Sequence, residues 1–181
     1  MGMPAATPYW TRDAVLALPE DGNRYELVHG ELLVTPSPRL RHQDVLARLF
    51  LILADYVRRN DLGKILWSPA DISWGPDILV QPDLFVIAPE QAAARDWAEV
   101  NRLSLVVEVL SPSTARQDRF TKRRLYQENG VGAYWIVDAE AGQVEVWTPE
   151  AVFPAIERER VAWHPAGAAE PLVIELGELF G

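Results

Sequence analysis

A carboxylate inside an otherwise apolar strand is the most informative residue type in this chain. The stretch Leu105-Val106-Val107-Glu108-Val109-Leu110 carries one. Strands buried on both faces read as continuous apolar runs. An unpaired buried carboxylate is costly, so Glu108 requires a cation, a proton or hydrogen-bond donors. Asp83 repeats the anomaly, following Pro82 between Ile78-Leu79-Val80 and Leu84-Phe85-Val86-Ile87. Taken singly, each has a structural reading: Glu108 as a strand-end residue satisfied by an arginine or by solvent, Asp83 as a turn or bulge residue. If the two strands are neighbours, the pair attracts a divalent cation, and hard oxygen ligands of this kind suit Mg²⁺ or Mn²⁺.

Asp118, Lys122 and Tyr126 fall at i, i+4 and i+8 of the helix expected after Glu108, one polar stripe with Leu125 and Phe120 toward the core. A lysine beside such a site could orient a water or neutralise charge on a phosphoryl transition state. The alternative is a surface i,i+4 pair with Asp118, which contributes little. Glu26 interrupts Tyr25-Leu27-Val28, and strand alternation places it outside, as it does Glu31. His42 stands near a helix start, where a neutral imidazole caps or hydrogen-bonds. Five of the 17 basic residues lie between Arg116 and Arg124, the one basic strip in the chain. The seven tryptophans offer stacking surfaces for bases, although Trp135 and Trp147 sit in apolar strands that assign them to the core.

Other chemistries are missing. There is no cysteine, hence no disulfide scaffold, thiol nucleophile or Cys-based zinc site. With three histidines a His-rich metal site is not expected. No G-x-G-x-x-G, P-loop or G-x-S-x-G motif occurs.

The elements that must position these residues are a mixture of strands and helices. Residues 1 to 10 read as a flexible arm and 11 to 181 as a single domain. Thr11 caps a short helix that Pro19 stops. Arg24 to Val28 and Glu31 to Thr35 form a hairpin over His29-Gly30. Apolar residues at helical spacing run from Arg41 to Arg59. Lys64 to Trp67, Asp71 to Trp74 and Ile78 to Ile87 read as strands, and Pro89 to Val100 as a helix. Leu103 to Leu110 and Ala133 to Asp138 are buried strands. Between them Thr114 and Gln117 fit a capping box that opens a helix to about Asn129. This βαβ arrangement implies parallel pairing. Gln143 to Trp147, Glu157 to Trp163 and Leu172 to Ile174 complete a β-rich C-terminal extension.

Of the 181 residues, 49% are hydrophobic and 24% charged, ordinary for a globular domain. The apolar runs are too short for a membrane span, and the N-terminus lacks a signal-peptide pattern, so a cytoplasmic protein is the expectation. The net charge is −9. From Asp138 onward nine acidic residues face two basic ones. Such a surface repels nucleic acid at long range and argues against a general duplex-coating protein.

The ordered set Tyr25-Glu26-Leu27-Val28-His29-Gly30-Glu31-Leu32, Ser37-Pro38 with His42-Gln43, Gln81-Pro82-Asp83-Leu84, Val107 to Thr114, Asp118, Lys122, Tyr126, Gly130-Val131 and Tyr134 to Asp138 resembles the Uma-two family of the PD-(D/E)XK restriction-endonuclease-like superfamily. The resemblance covers roughly residues 11 to 148. It implies a mixed β-sheet with helices on both sides. It implies an endonuclease that hydrolyses phosphodiester bonds of DNA with a Mg²⁺-activated water, Mn²⁺ being an alternative metal. Asp83, Glu108 and the backbone carbonyl of Val109 would hold the metal. Glu26, Asp83, Glu108 and Lys122 would be catalytic, with His42, Asp118 and Tyr126 supporting them. Arg116, Arg119, Arg123 and Arg124 would engage the phosphate backbone. The superfamily lysine belongs two residues after the glutamate, where this chain has Leu110; the family resemblance moves its role to Lys122. Two other readings stay open: a catalytically silent module on a nuclease fold, and a nuclease acting on RNA or structured nucleic acid. A homodimer or higher homo-oligomer is expected, with Trp147, Phe153 and Trp163 at the interface.

Overall fold

The computed structural model describes residues 8–181; most of the expected arm, residues 1–7, lies outside them. Thr11 caps α1 (Arg12–Leu16), its side chain accepting from Ala14 N–H. The hairpin β1 (Arg24–Val28) and β2 (Glu31–Thr35) turns at His29 and Gly30, both at positive φ (48° and 78°), as a two-residue turn between twisted strands requires. The long helix α2 (Leu40–Arg59) leads to β3 (Lys64–Trp67), β4 (Ile72–Gly75), β5 (Ile78–Val80) and β6 (Leu84–Ile87). At Gly63, between α2 and β3, a Cβ would lie 2.0 Å from the Ile87 carbonyl oxygen and φ is +105°. Only glycine permits that close approach.

After β7 (Leu103–Val109) the chain forms a π-helical turn, Gln117–Lys122, that runs into α3 (Arg123–Glu128). Then follow β8 (Tyr134–Asp138), β9 (Gln143–Trp147), β10 (Ala155–Glu157), β11 (Arg160–Trp163), β12 (Leu172–Glu175) and α4 (Leu176–Phe180). Among the described residues the strands form a six-stranded sheet, β10-β9-β8-β7-β6-β3, a four-stranded sheet, β2-β1-β5-β4, and the pair β11-β12. Only β7 and β8 are parallel, Glu108 lying opposite Ile136. The βαβ reading and the mixed α/β class therefore hold.

One face of the large sheet, with Leu105, Val107, Trp135 and Val137, packs on Val45, Leu49, Leu53 and Val57 of α2. The opposite face carries Val106, Tyr134 and Ile136 against Leu125 and Tyr126 of α3. Strand alternation puts Glu108 on the face of Val106, toward the helix that brings Lys122. No helix of the described residues is long and apolar enough to cross a membrane.

Several local expectations are corrected. Residues 89–100 form two separate 3₁₀ turns, Pro89–Gln91 and Trp97–Glu99, in place of one helix. Here the Asp96 side chain accepts from Ala98 N–H, Glu99 from Arg95 N–H, and Gln91 from the Asn101 and Arg102 amides. Such side-chain bonds to the backbone compete with the helical ladder. Thr114 and Gln117 form no capping box among the described residues; Thr114 Oγ1 accepts from Ser111 N–H at 3.3 Å. Phe120 is 64% exposed, not core, because it stands two residues from both inward-facing Asp118 and Lys122 and so points the other way. Trp147 and Trp163 are buried within the domain, and of the expected interface only Phe153 lies at the surface.

Candidate active site

Strands β1, β6 and β7 and the π-helical turn bring five charged side chains to the carboxyl end of β7. Glu26, Asp83, Glu108, Asp118 and Lys122 are all buried, none more than 3% exposed. Asp83 stands just before β6, beside β7. Its Oδ1 accepts from Arg24 Nη1 at 2.8 Å. Its Oδ2 accepts from the Val109 amide at 2.9 Å and lies 3.0 Å from His42 Nε2. A carboxylate only accepts, so His42 places its ring proton on Nε2. Glu108 Oε1 accepts from Lys122 Nζ and from the Tyr126 hydroxyl, both at 3.0 Å. Glu26 Oε1 accepts from the Gln81 amide at 2.8 Å, and its Oε2 lies 2.8 Å from Lys122 Nζ. Asp118 Oδ1 is 3.7 Å from the same ammonium. One lysine thus serves three carboxylates.

The expected exposure of Glu26 is wrong, although the alternation behind it is right. Tyr25 and Leu27 take the face covered by α1, while Arg24, Glu26 and Val28 take the other. That other face rests on the large sheet, where Val28 joins the core. Both faces of β1 are covered, so Glu26 is buried. The Asp118–Lys122 surface pair is likewise not what forms, since both groups are inside. The π-helical turn accounts for their depth: the Arg123 amide reaches back to the Asp118 carbonyl, which also accepts from the Tyr134 hydroxyl at 3.1 Å. Such widened turns recur at functional sites.

Arg24 is the residue that sequence reading missed. It touches Asp83 and stands 3.9 Å from Glu26. The signal was present: Arg24 and Glu26 are two apart on a strand and share a face.

Four carboxylates and two permanent cations, Arg24 and Lys122, share this interior. With every carboxylate ionised this would be an excess of two negative charges, and the cluster resists that state. Asp118 Oδ1 is buried without a hydrogen-bond donor, and Glu26 Oε2 has only the shared Lys122 ammonium within reach, at 2.8 Å. Burial, reinforced by Asp83, Asp118 and Glu26, pushes the Glu108 carboxyl up to about 8 against the opposing pull of Lys122. Burial raises Asp118 as well. Asp83 goes the other way: burial alone would raise it, but the His42 hydrogen bond and the Arg24 guanidinium hold it well below the usual carboxylate range. Burial would lower Lys122, yet Glu108, Glu26 and Asp118 outweigh it and raise it, so the amine stays an ammonium. Oxygen donors with a deficit of two positive charges fit one Mg²⁺ or Mn²⁺. Among the described residues no three His, Asp or Glu side chains are arranged to hold a metal between them; a metal held here would draw on two carboxylates and a further oxygen.

A stability prediction follows from Glu108. Its folded-state value lies above its unfolded value near 4.5, so its contribution is fully present below that pH and is lost as pH rises through about 8. In chelator, urea denaturation is expected to show a less stable protein at the alkaline end of that window. Glu108→Gln should flatten the dependence. A wild-type profile that is flat or rises across the window contradicts the burial of an uncompensated Glu108. Asp83 acts with opposite sign, and only in acid below its ordinary range.

The basic strip is largely engaged by its own surroundings. Arg119 bonds Glu145 at 2.6 Å and Asp138 at 3.2 Å. Arg123 lies over the Trp147 ring and bonds Gln127, and Arg124 pairs with Glu128. Arg116 is exposed and makes no ion pair among the described residues.

The cleft above the carboxylates measures about 800 Å³ and admits solvent to Asp83, Glu108 and Asp118. A family model named Uma2 and described as "putative restriction endonuclease" matches residues 12–176. In fold the chain is similar to a crystal structure described as a "putative nuclease belonging to DUF820" from Anabaena variabilis ATCC 29413, with a TM-score of 0.79 and 19% identity over 94% of this chain and 97% of that one. No curated protein matches.

Proposed function

The chain belongs to the Uma2 family, and from that premise and the carboxylate cluster we propose a divalent-metal-dependent endonuclease that hydrolyses phosphodiester bonds of DNA. The observation that carries this reading is a set of four buried carboxylates against two permanent cations beneath an open cleft. A closed structural ion network has no need to leave Asp118 Oδ1 without a donor or to share one ammonium among three carboxylates.

In this reading Asp83, Glu108 and the Val109 carbonyl would hold Mg²⁺ or Mn²⁺. The bound ion would supply Lewis acidity and a water of lowered pKa. Lys122, fixed between Glu108 and Glu26, keeps an ammonium beside the reacting phosphate and stabilises the charge that develops on it. Tyr126 donates to Glu108 and fixes its rotamer, and Asp118 holds the lysine from behind. His42 and Arg24 orient Asp83. Glu26 completes the lysine's surroundings. Arg116 is the member of the basic strip left to meet the phosphate backbone.

The test is a calorimetric titration of the protein with Mn²⁺ and Mg²⁺, followed by nicking of supercoiled plasmid, whose negative supercoiling exposes unpaired bases, and of circular single-stranded DNA, with each ion and with chelator. Saturable binding and ion-dependent nicking are expected. A specific observation favours the second reading, a silent nuclease-fold module: both oxygens of Asp83 are already engaged by Arg24, His42 and the Val109 amide. Absence of nicking on every nucleic acid, with the ion bound, would decide for that module.

A further inference from the structure

Resting on the nuclease reading, we infer that Trp67 is a stacking platform for an unpaired base and that the substrate is a single strand. Of the seven tryptophans, Trp67 is the most exposed, at 52%. Among the described residues it is also the only Phe, Tyr or Trp side chain lining the cleft.

The platform is held rigidly against the carboxylates. Trp67 ends β3, opposite Leu84 in the ladder, so its backbone neighbours that of Asp83. The next residue, Ser68, donates its amide to the Asp83 carbonyl at 3.3 Å and its hydroxyl to the Gln81 and Pro82 carbonyls. The ring is buttressed edge-on by Phe50 of α2, with centroids 4.7 Å apart and planes at 72°. A fixed indole of this kind offers a π-face that accepts any base.

The charges point to the same substrate class. The cleft has two cationic side chains, Arg24 and Arg39, against Glu20, Asp83, Glu108 and Asp118. Arg24 is committed to Asp83, and most of the basic strip is paired elsewhere. Duplex binding draws on many phosphate contacts, and this cleft lacks the cations for them. Affinity must then come from bases, and bases of a duplex are stacked away. A single strand also needs only one active site per cut, so one copy of the chain suffices.

The test compares wild type, Trp67→Ala and Trp67→Phe. Each is given labelled oligodeoxythymidylate, oligouridylate and a duplex of equal length, with Ca²⁺ for binding and Mg²⁺ for cutting. The wild type is expected to prefer single strands and to show a shallow salt dependence, a log–log slope of about −1 to −2. Trp67→Ala should weaken single-strand binding about tenfold or more, through KM with kcat nearly unchanged, while Trp67→Phe retains most of it. The DNA and RNA arms identify the sugar. Duplex cut as well as single strands, or an unchanged Trp67→Ala, overturns the inference while nuclease activity still stands. No binding or cutting of any of the three overturns both readings together.

Discussion

Asp83→Ala abolishes divalent-ion binding and lowers nicking by at least about 10³-fold: that is the expected result, since a bound ion supplies several kcal/mol of transition-state stabilisation and each 1.4 kcal/mol is about tenfold in rate. Asp83 is the carboxylate held most firmly in the anionic form, and it faces the cleft. In the proposed site it would be the ligand least able to be replaced by a neighbour. Removing it also strips Arg24 and His42 of their partner, so some stability is lost too. Asp83→Asn keeps the volume and separates the two effects. Calorimetry, nicking and urea denaturation on the same samples check the prediction. Undiminished Mn²⁺ binding by folded Asp83→Ala would falsify the assignment.

Lys122→Met should have the second largest effect, and on two quantities at once. Lys122 is 2% exposed and lies within 3.7 Å of three carboxylates. Deleting one partner of a buried ion pair strands the others and costs about 3–5 kcal/mol. For a chain of this size that is a fall in Tm of about 6–20 °C, at about 2–4 °C per kcal/mol. The rate should drop about 10²–10³-fold, the loss typical of one transition-state donor. Lys122→Met combined with Glu26→Gln should recover part of the stability and none of the rate, because the second change removes a stranded charge without restoring the ammonium. A Lys122→Met protein as stable as wild type by thermal denaturation would show that the cluster is open to solvent. Recovery of rate together with stability would reduce Lys122 to a structural role.

How far the site was legible varies residue by residue. Glu108 and Asp83 announced themselves by breaking apolar strands, and both are buried side by side. The i, i+4, i+8 spacing of Asp118, Lys122 and Tyr126 placed three groups on one stripe, and all three are buried there. Glu26 could not be read in the same way. Its strand alternates as expected, but exposure depends on what covers each face, and that cover is the large sheet. Arg24 was lost for the same reason. The helix expected over 89–100 failed because local side-chain bonds from Asp96, Glu99 and Gln91 won over residues with good helix propensity. Phe120 failed because a polar stripe facing inward reverses the usual assignment of faces.

The sequence by itself determined most of the order of elements and the parallel β7–β8 crossover, because hydrophobic periodicity and turn residues are local and survive without knowledge of the partner surface, and its ordered motifs carried the family resemblance. It also marked which carboxylates were anomalous. Only the tertiary structure decided that one ammonium would stand among three of them, that Arg24 would hold Asp83, and that Trp67 would remain open at the cleft while Trp135, Trp147 and Trp163 were buried. Those outcomes depend on distances between residues far apart in the chain. Charge balance within a few ångströms, which sets protonation and metal affinity, is a property of that assembled neighbourhood and not of any segment.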